Sequence, residues 1–287
     1  MPITGKTRVV GIFGDPVAHS LSPPMQNAAF QAAGIDAVYV PFHVTPAQLC
    51  DAVCAMRSLG LVGINLTIPH KEAVCGLLDE LDPLAELIGA VNTVVNRAGR
   101  LCGYNTDGLG LLRAVALELG VDPRGKRVLV AGAGGAARAA VVAMAQAGAA
   151  WIGVANRTPV RAEALVAELA QKFKGTAFAA LPLATNLPER LADQVDLLVN
   201  CTAAGLHGDL PDLPVGACVR SGGAVYDMVY GRAPTGLVAA ARAVGLNAAD
   251  GLSMLAGQGE EAFRLWFETP APPGIMRAAL GVALGGK

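Results

Sequence analysis

The sequence is poor in charged and aromatic residues: 16% of its 287 residues are Asp, Glu, Lys or Arg, and 5% are Phe, Trp or Tyr. The formal net charge is −1, and Lys and Arg form no extended run. Nucleic acid and anionic membrane surfaces attract basic patches, so neither is an expected partner. A disordered chain is excluded as well, because disorder requires few apolar residues and 53% of this chain is hydrophobic.

Metal and membrane signatures are also missing. The six cysteines include no CxxC pair, and no two of the four histidines have the spacing of metal ligands, so we expect no metal site. The one alternative is a soft-metal site at Cys50 and Cys54, which could share a helix face. The N-terminus lacks the apolar core of a signal peptide, and the most apolar stretch, residues 139–155, is shorter than the roughly 20 residues of a spanning helix. These features predict a cytoplasmic protein with reduced thiols.

Short apolar runs alternate with amphipathic segments, which is typical of an α/β protein. In the first part of the chain the predicted strands are 9–13, 38–44, 61–68 and 90–95, with helices at 24–34 and 46–60. A second series begins after Gly125-Lys126, with strands at 127–131, 151–155, 195–200 and 223–228 and helices at 136–147, 159–173 and 235–244. We therefore predict two domains with mostly parallel sheets and right-handed crossovers, divided between residues 105 and 125. Residues from 251 onward are predicted to be helical.

A glycine-rich turn follows the first strand of the second series. In VLVAGAGGAARAA, residues 128–140, Gly132, Gly134 and Ala137 match the pattern G-x-G-x-x-G/A between a strand and a helix. The glycines permit a tight turn and close approach of a pyrophosphate, and the helix N-terminus offers free N–H groups to it. The predicted dinucleotide-binding residues are Gly132, Ala133, Gly134, Gly135, Ala136 and Ala137. The alternative is a plain turn between strand and helix.

The next strand ends in Asn156-Arg157-Thr158, and Arg161 follows one helical turn later. Sites that prefer NAD carry Asp or Glu at this place, to accept a hydrogen bond from the ribose hydroxyl. A carboxylate would repel the 2′-phosphate of NADP, whereas a guanidinium binds it. These residues predict NADP as the cofactor. The alternative is that both arginines are only solvated charges.

Polar residues cluster at the ends of several predicted strands of the first series, and ligands of open α/β sheets bind outside the carboxyl ends of strands. They are Ser20, Ser22, Asn65, Thr67, Lys71, Asn92, Thr93, Asn105, Thr106 and Asp107. Lys71 follows the stiff Pro69, and a partly desolvated lysine can carry a proton during catalysis. Asp107 is the carboxylate expected to pair with it. The alternative for Lys71, taken alone, is an ordinary surface charge.

The order of the motifs resembles the shikimate dehydrogenase family over essentially the whole chain. The matching segments are HSLSPPMQN (19–27), GINLTIPHKEAV (63–74), GAVNTVV (89–95), GYNTDG (103–108), GAGGAA and NRT, NCTAAGLHG (200–208), YDMVYGRAPTGL (226–237) and DGLSMLAGQGEEAFRLW (250–266). The segment 200–208 resembles the family's loop facing the nicotinamide.

The resemblance implies reversible, NADPH-dependent reduction of 3-dehydroshikimate to shikimate, on the route to chorismate and the aromatic amino acids, in a monomer or homodimer. It implies a substrate-binding and catalytic domain of residues 1–108, rejoined by 251–287, and a Rossmann-type NADP-binding domain of residues 109–250. Lys71 and Asp107 would be the proton-transfer pair. The implied substrate-binding residues are Ser20, Ser22, Thr67, Asn92, Asp107, Tyr230 and Gln258. The implied cofactor-binding residues are those at 132–137 with Asn156, Arg157, Thr158, Arg161, Met228 and Gly251.

The chain departs from the family's usual pattern at four places. Gln26 stands where many members have histidine, Gly231-Arg232-Ala233 replaces an Asn-Pro pattern, Gly259 stands where alanine is usual, and Phe267-Glu268-Thr269 replaces Thr-Gly. These differences leave a quinate/shikimate dehydrogenase-like enzyme, acting on another cyclic hydroxy acid or with NAD, as the alternative. A more distant one is a non-catalytic sensor of nucleotide and a shikimate-like ligand. The presence of both Lys71 and Asp107 favours an enzyme.

Overall fold

The computed structural model describes residues 2–183, 194–202, 204 and 215–285. Strands and helices alternate along it. The strands are β1 Arg8–Gly14, β2 Ala37–His43, β3 Gly63–Leu66, β4 Glu80–Leu81, β5 Thr93–Arg97, β6 Arg100–Tyr104, β7 Arg127–Ala131, β8 Trp151–Asn156, β9 Ala177–Pro182, β10 Val195–Asn200, β11 Val219–Asp227 and β12 Asn247–Ala249. The helices are α1 Ser22–Ala32, α2 Leu49–Ser58, α3 Pro83–Ile88, α4 Asp107–Leu119, α5 Gly135–Gln146, α6 Pro159–Lys172, α7 Val215–Cys218, α8 Gly236–Ala243, α9 Leu252–Phe267 and α10 Ile275–Ala283. Short 3₁₀ turns lie at Pro46–Gln48 and Ala73–Leu77.

The chain divides into two compact units, Met1–Asp107 with Leu255–Lys287, and Gly108–Met254. Each contains one six-stranded sheet with helices, which confirms the predicted α/β class. Among the described residues, no helix is both long and apolar enough to cross a bilayer.

The sheet of the first unit has the order β2-β1-β3-β5-β6-β4. β1 is parallel to β2 and β3, as the strand–helix–strand pattern predicts, and β4 is parallel to β6. β5 and β6 form a hairpin in which β5 is antiparallel to both of its neighbours. The sequence pattern missed β6 and this reversal, because the turn places Ala98, a residue without a turn signature, at φ +53° before Gly99 at φ +93°.

The helix α9 packs against this first sheet through Trp266. The indole Nε1 donates to the carbonyl of Val94 at 3.0 Å. The same ring occupies the space that a Cβ on Gly63 would need, so only glycine permits this approach. The ring of Tyr39 also packs against this indole, with 6.1 Å between the ring centroids. These contacts hold α9 beside the strands that carry the polar residues of the first unit.

The sheet of the second unit is parallel throughout, in the order β12-β11-β10-β7-β8-β9. Read from β9, this is the doubly wound order of dinucleotide-binding domains. The sequence pattern missed the two edge strands. β9, with the sequence AFAALP, consists mostly of alanine, and β12 has three residues, so neither produces a clear hydrophobic period.

Candidate active site

Lys71 is positioned by a segment anchored between strands of the first unit. After β3 ends at Leu66, the N–H of Thr67 donates to the carbonyl of Phe13 at 3.0 Å. His70 is buried, and its ring Nε2 lies 2.6 Å from the carbonyl of Val44. This buried histidine therefore has a structural partner, and it fixes the backbone immediately before Lys71.

Asp107 is positioned by the turn that begins α4. Its N–H donates to the side-chain oxygen of Asn105 at 3.1 Å, while the amide of Asn105 donates to the carbonyl of Ala90 at 2.9 Å. The carboxylate of Asp107 lies at the helix N-terminus, where the helix dipole favours a negative charge.

Lys71 and Asp107 meet as an ion pair. Lys71 Nζ donates to Asp107 Oδ2 at 2.6 Å, and the two side chains are 18% and 6% exposed. Salt screens a partly buried ion pair less than an exposed one, and the Lys71 side chain is still partly accessible to solvent. A partly shielded pair that remains accessible can exchange a proton with a ligand.

Asn92 links this pair to its surroundings. Its side-chain amide lies 2.8 Å from Asp107 Oδ1, 2.9 Å from Thr106 Oγ1 and 3.4 Å from Gln258 Oε1. Its oxygen accepts from the N–H of Thr106 at 2.9 Å and the hydroxyl of Thr93 at 3.0 Å. With donors and acceptors engaged, Asn92 has one orientation, and it holds the second oxygen of Asp107.

A buried polar chain extends from Asn92 into the sheet. Asn65 donates to the hydroxyl of Thr93 at 3.0 Å and accepts from the hydroxyl of Tyr39 at 2.7 Å. Burial raises the pKa of Tyr39, and a hydrogen bond with Ser22 opposes this shift in part. The phenol therefore stays neutral and can donate. Sequence reasoning missed Tyr39, whose only signal is a lone polar ring among apolar residues of β2.

The other predicted residues of the first unit are Ser20, Ser22, Thr67 and Gln258. Ser22 is buried at the first position of α1, and its N–H lies 3.2 Å from the hydroxyl oxygen of the half-buried Ser20. Thr67 is half-buried, and its methyl group fills the space beside Gly14. Gln258, on α9, is buried and contacts Asn92. The structure thus connects Ser22, Asn92, Asp107, Lys71 and Gln258 through hydrogen bonds within one unit.

In the second unit, the carboxyl ends of four strands are aligned. Ala131 of β7 is in register with Ala155 of β8 and with Asn200 of β10, which is in register with Asp227 of β11. The residues that follow each strand are therefore at the same edge of the sheet, where doubly wound folds bind nucleotides.

The glycine-rich turn at this edge has the conformation that the pattern requires. Gly132 has φ +112°, and a Cβ there would lie 3.2 Å from the carbonyl oxygen of Cys201. Gly134 is extended, and no side chain caps α5, which begins at the next residue. The first N–H groups of a helix have no partner within it, so they are available to a phosphate. Ala137 is completely buried, which allows close packing of α5 on the sheet.

The residues predicted to select the nucleotide follow β8. Asn156 donates from its side chain to the carbonyl of Thr158 at 2.9 Å, which shapes the turn before α6. Arg157 and Arg161 are exposed, and no carboxylate occupies positions 156–158. Two guanidinium groups near a strand end fit the 2′-phosphate of NADP.

Asp227 organises the segments after β10 and β11, and sequence reasoning did not select it. Its carboxylate accepts from the amide of Asn200 at 2.9 Å, the hydroxyl of Thr235 at 2.6 Å and the N–H of Val229 at 3.1 Å. Burial raises the pKa of Asp227, against the effect of these hydrogen bonds. Its position as the last residue of a strand was the available signal.

The other predicted residues of this unit lie close to Asp227 in sequence or in contact with its neighbours. Met228 donates from its N–H to the carbonyl of Asn200 at 3.0 Å, and its own carbonyl occupies the space that a Cβ on Gly251 would need. Burial raises the pKa of the half-buried Tyr230. Residues 203 and 205–208 of the predicted nicotinamide loop, including His207, lie outside the described residues. In the described part of the chain, no three His, Cys, Asp or Glu side chains are grouped as metal ligands are.

Three family models match the sequence. The shikimate dehydrogenase substrate binding domain matches residues 12–94, the shikimate / quinate 5-dehydrogenase model matches residues 115–207, and the shikimate 5′-dehydrogenase C-terminal domain matches residues 251–280. A protein of Geobacter sulfurreducens named shikimate dehydrogenase (NADP(+)) is 51% identical over 287 residues, covering 99% of each chain. The chain belongs to the shikimate dehydrogenase family.

Solved structures agree with this family assignment. The shikimate 5-dehydrogenase of Thermus thermophilus, solved with NADP(H) and shikimate, has a TM-score of 0.84 and 38% identity over 97% of this chain and 100% of that one. The 5-ketofructose reductase of a Gluconobacter species also has a TM-score of 0.84, with 35% identity over 98% of this chain and 100% of that one. A fold this similar therefore also serves an enzyme named for a different carbonyl substrate.

Proposed function

We propose that this protein is an NADP-dependent shikimate dehydrogenase, which reversibly reduces 3-dehydroshikimate to shikimate. The observation that carries the proposal is the ion pair between Lys71 and Asp107 at 2.6 Å, in which Asn92 holds the aspartate by a hydrogen bond. The chain that contains this pair belongs to the shikimate dehydrogenase family. The names of the relatives support the proposed substrate and cofactor. Proteins that are 50% and 51% identical to this chain are named for both shikimate and NADP⁺.

The pair of Lys71 and Asp107 transfers the proton. In the direction of reduction the pair delivers a proton to the oxygen of the ring carbonyl, and in the reverse direction it takes the proton of the hydroxyl. The two groups act as one coupled unit because they share a hydrogen bond. Such general acid–base catalysis contributes typically about 10²–10⁴-fold to the rate.

The remaining polar groups hold the substrate. Ser20 and Ser22 bind its carboxylate with their hydroxyl groups, and Thr67, Asn92 and Gln258 bind the ring hydroxyls, with Tyr230 near the carboxylate. The buried chain behind Asn92 keeps these groups in place before the substrate arrives, so little reorganisation is needed during the reaction.

The second unit holds NADP. The pyrophosphate would be bound by the N–H groups of residues 132–137, and the 2′-phosphate by Arg157 and Arg161 with Asn156 and Thr158. Met228 and Gly251 complete the cofactor site. Bound NADPH supplies the hydride that the carbonyl carbon accepts. The cytoplasmic location and the monomeric or homodimeric state stay predictions.

A second candidate is the same reaction on quinate, because one of the matching family models is that of shikimate / quinate 5-dehydrogenases. The experiment is incubation of the purified protein with NADPH and 3-dehydroshikimate, 3-dehydroquinate or 5-ketofructose, with chromatographic identification of the products. We expect shikimate as the main product. Faster reduction of 3-dehydroquinate would favour the second candidate, and turnover of 5-ketofructose alone would reject both.

A further inference from the structure

The helices α1 and α9 face each other in layers. Along α1, Ser22, Gln26 and Phe30 are spaced by four residues and so share one face. Along α9, Gly259 and Phe263 have the same spacing. Phe30 packs against Phe263 with ring centroids 5.7 Å apart. Gln26 and Gly259 therefore form the layer between this aromatic contact and Ser22.

In this layer the side-chain amide of Gln26 contacts the backbone of Gly259, which has no side chain. Gln26 Nε2 donates to the carbonyl of Gly259 at 2.9 Å, and the glutamine is completely buried. A Cβ at position 259 would collide with the methyl group of Met25 and lie 3.3 Å from Gln26 Nε2. The glutamine and the glycine consequently determine together how closely the two helices approach.

Packing alone does not account for the glutamine. Its second polar atom, Oε1, is buried without a hydrogen-bond partner. A buried unpaired acceptor destabilises a fold, whereas methionine has a similar shape and leaves no such atom. Natural proteins keep locally unfavourable groups of this kind mainly where function requires them.

The contact is next to the substrate-binding residues on both helices. Gly259 follows Gln258, whose Oε1 lies 3.4 Å from the amide of Asn92. On α1, Gln26 lies one turn after Ser22. We propose that Gln26 is a positioning residue that sets the distance between Ser22 and Gln258, and thereby the affinity for the cyclic hydroxy acid. This inference rests on the proposed function.

The test compares Gln26→Met with Gln31→Met, the same substitution at an exposed position of the same helix. In Gln26→Met we expect the KM for shikimate, and its Kd by calorimetry, to rise about three- to tenfold. This is the change in affinity that corresponds to the loss of one hydrogen bond. The turnover number and the KM for NADP⁺ should stay within about twofold of wild type. The melting temperature should not fall, because the unpaired acceptor is removed. Gln31→Met should match wild type in every measurement.

A second variant, Gly259→Ala, changes the same contact from α9. Its methyl group would push the helices apart, so we expect a rise in the shikimate KM like that of Gln26→Met. If wild type oxidises shikimate and neither variant changes its KM or Kd, the inference is wrong and the proposed function stands. If turnover, cofactor affinity and melting temperature all fell together in these variants, Gln26 would have only a structural role and the inference would be wrong. A wild type without activity on shikimate would reject the proposed function and the inference with it.

Discussion

Replacing Lys71 with alanine should separate catalysis from stability at the central ion pair. Nζ lies 2.6 Å from Asp107 Oδ2, and the side chains are 18% and 6% exposed. Exposed pairs contribute up to about 1 kcal/mol, and breaking a fully buried pair costs about 3–5 kcal/mol. The partial exposure of Lys71 places the loss of unfolding free energy in Lys71→Ala between these, at about 1–3 kcal/mol. At roughly 2–4 °C per kcal/mol, the melting temperature should fall by several degrees.

Turnover should respond differently from stability. We expect Lys71→Ala to lower turnover by at least about 10²-fold, with little change in the affinity for NADPH, because the lysine is part of the proton-transfer pair. The double variant Lys71→Ala/Asp107→Asn removes the unpaired charge, so it should regain most of the lost melting temperature without regaining activity. The assay is NADPH absorbance for the rate and calorimetry for the melting temperature. Near-normal turnover of Lys71→Ala, or a double variant as unstable as the single one, would refute this reasoning.

Two further predictions concern the second unit. Arg157→Ala should raise the Kd for NADPH about tenfold and leave the Kd for NADH nearly unchanged, because only NADPH has a 2′-phosphate for the guanidinium to bind. Equal losses of affinity for NADPH and NADH, or the same effect in the exposed control Arg113→Ala, would contradict the assignment. Burial raises the pKa of Asp227 above that of the unfolded chain, so the folded protein takes up its proton first as the pH falls. The unfolding free energy of wild type, measured relative to that of Asp227→Asn, should therefore increase as the pH falls from about 7 to about 4, near the ordinary pKa of Asp. A difference in unfolding free energy that does not change with pH would contradict this prediction.

The parts of the fold that the sequence pattern predicts well are those with strong local signals. The predicted helix at 136–147 and strand at 195–200 match α5 and β10 to within one residue. Both have a clear hydrophobic pattern, and α5 follows glycines with a defined role. The pattern missed β4, β6, β9 and β12. β4 and β12 are edge strands of two and three residues, β9 is an alanine-rich edge strand, and β6 pairs with β5 in a hairpin, so these strands depend on their neighbours more than on their own residues.

In the candidate site, too, the residues with local sequence signals were predicted and those that depend on distant partners were missed. Lys71, Asn92 and Asp107 stand in motifs whose order carries the family resemblance, and the structure joins them by hydrogen bonds. Tyr39 and Asp227 were missed because their significance comes from partners distant in sequence. Tyr39 contacts Asn65 across the sheet, and Asp227 gathers donors from two separate segments. A one-dimensional pattern does not encode such long-range hydrogen bonds.

The most direct test of the proposed function is a comparison of initial rates for shikimate and quinate, each with NADP⁺ and with NAD⁺. We predict that kcat/KM is highest for shikimate with NADP⁺, and that either change of substrate or cofactor lowers it by at least about tenfold, or roughly 1.4 kcal/mol of transition-state stabilisation. Equal or higher efficiency with quinate or NAD⁺, or no turnover of shikimate with either cofactor, would contradict the proposal.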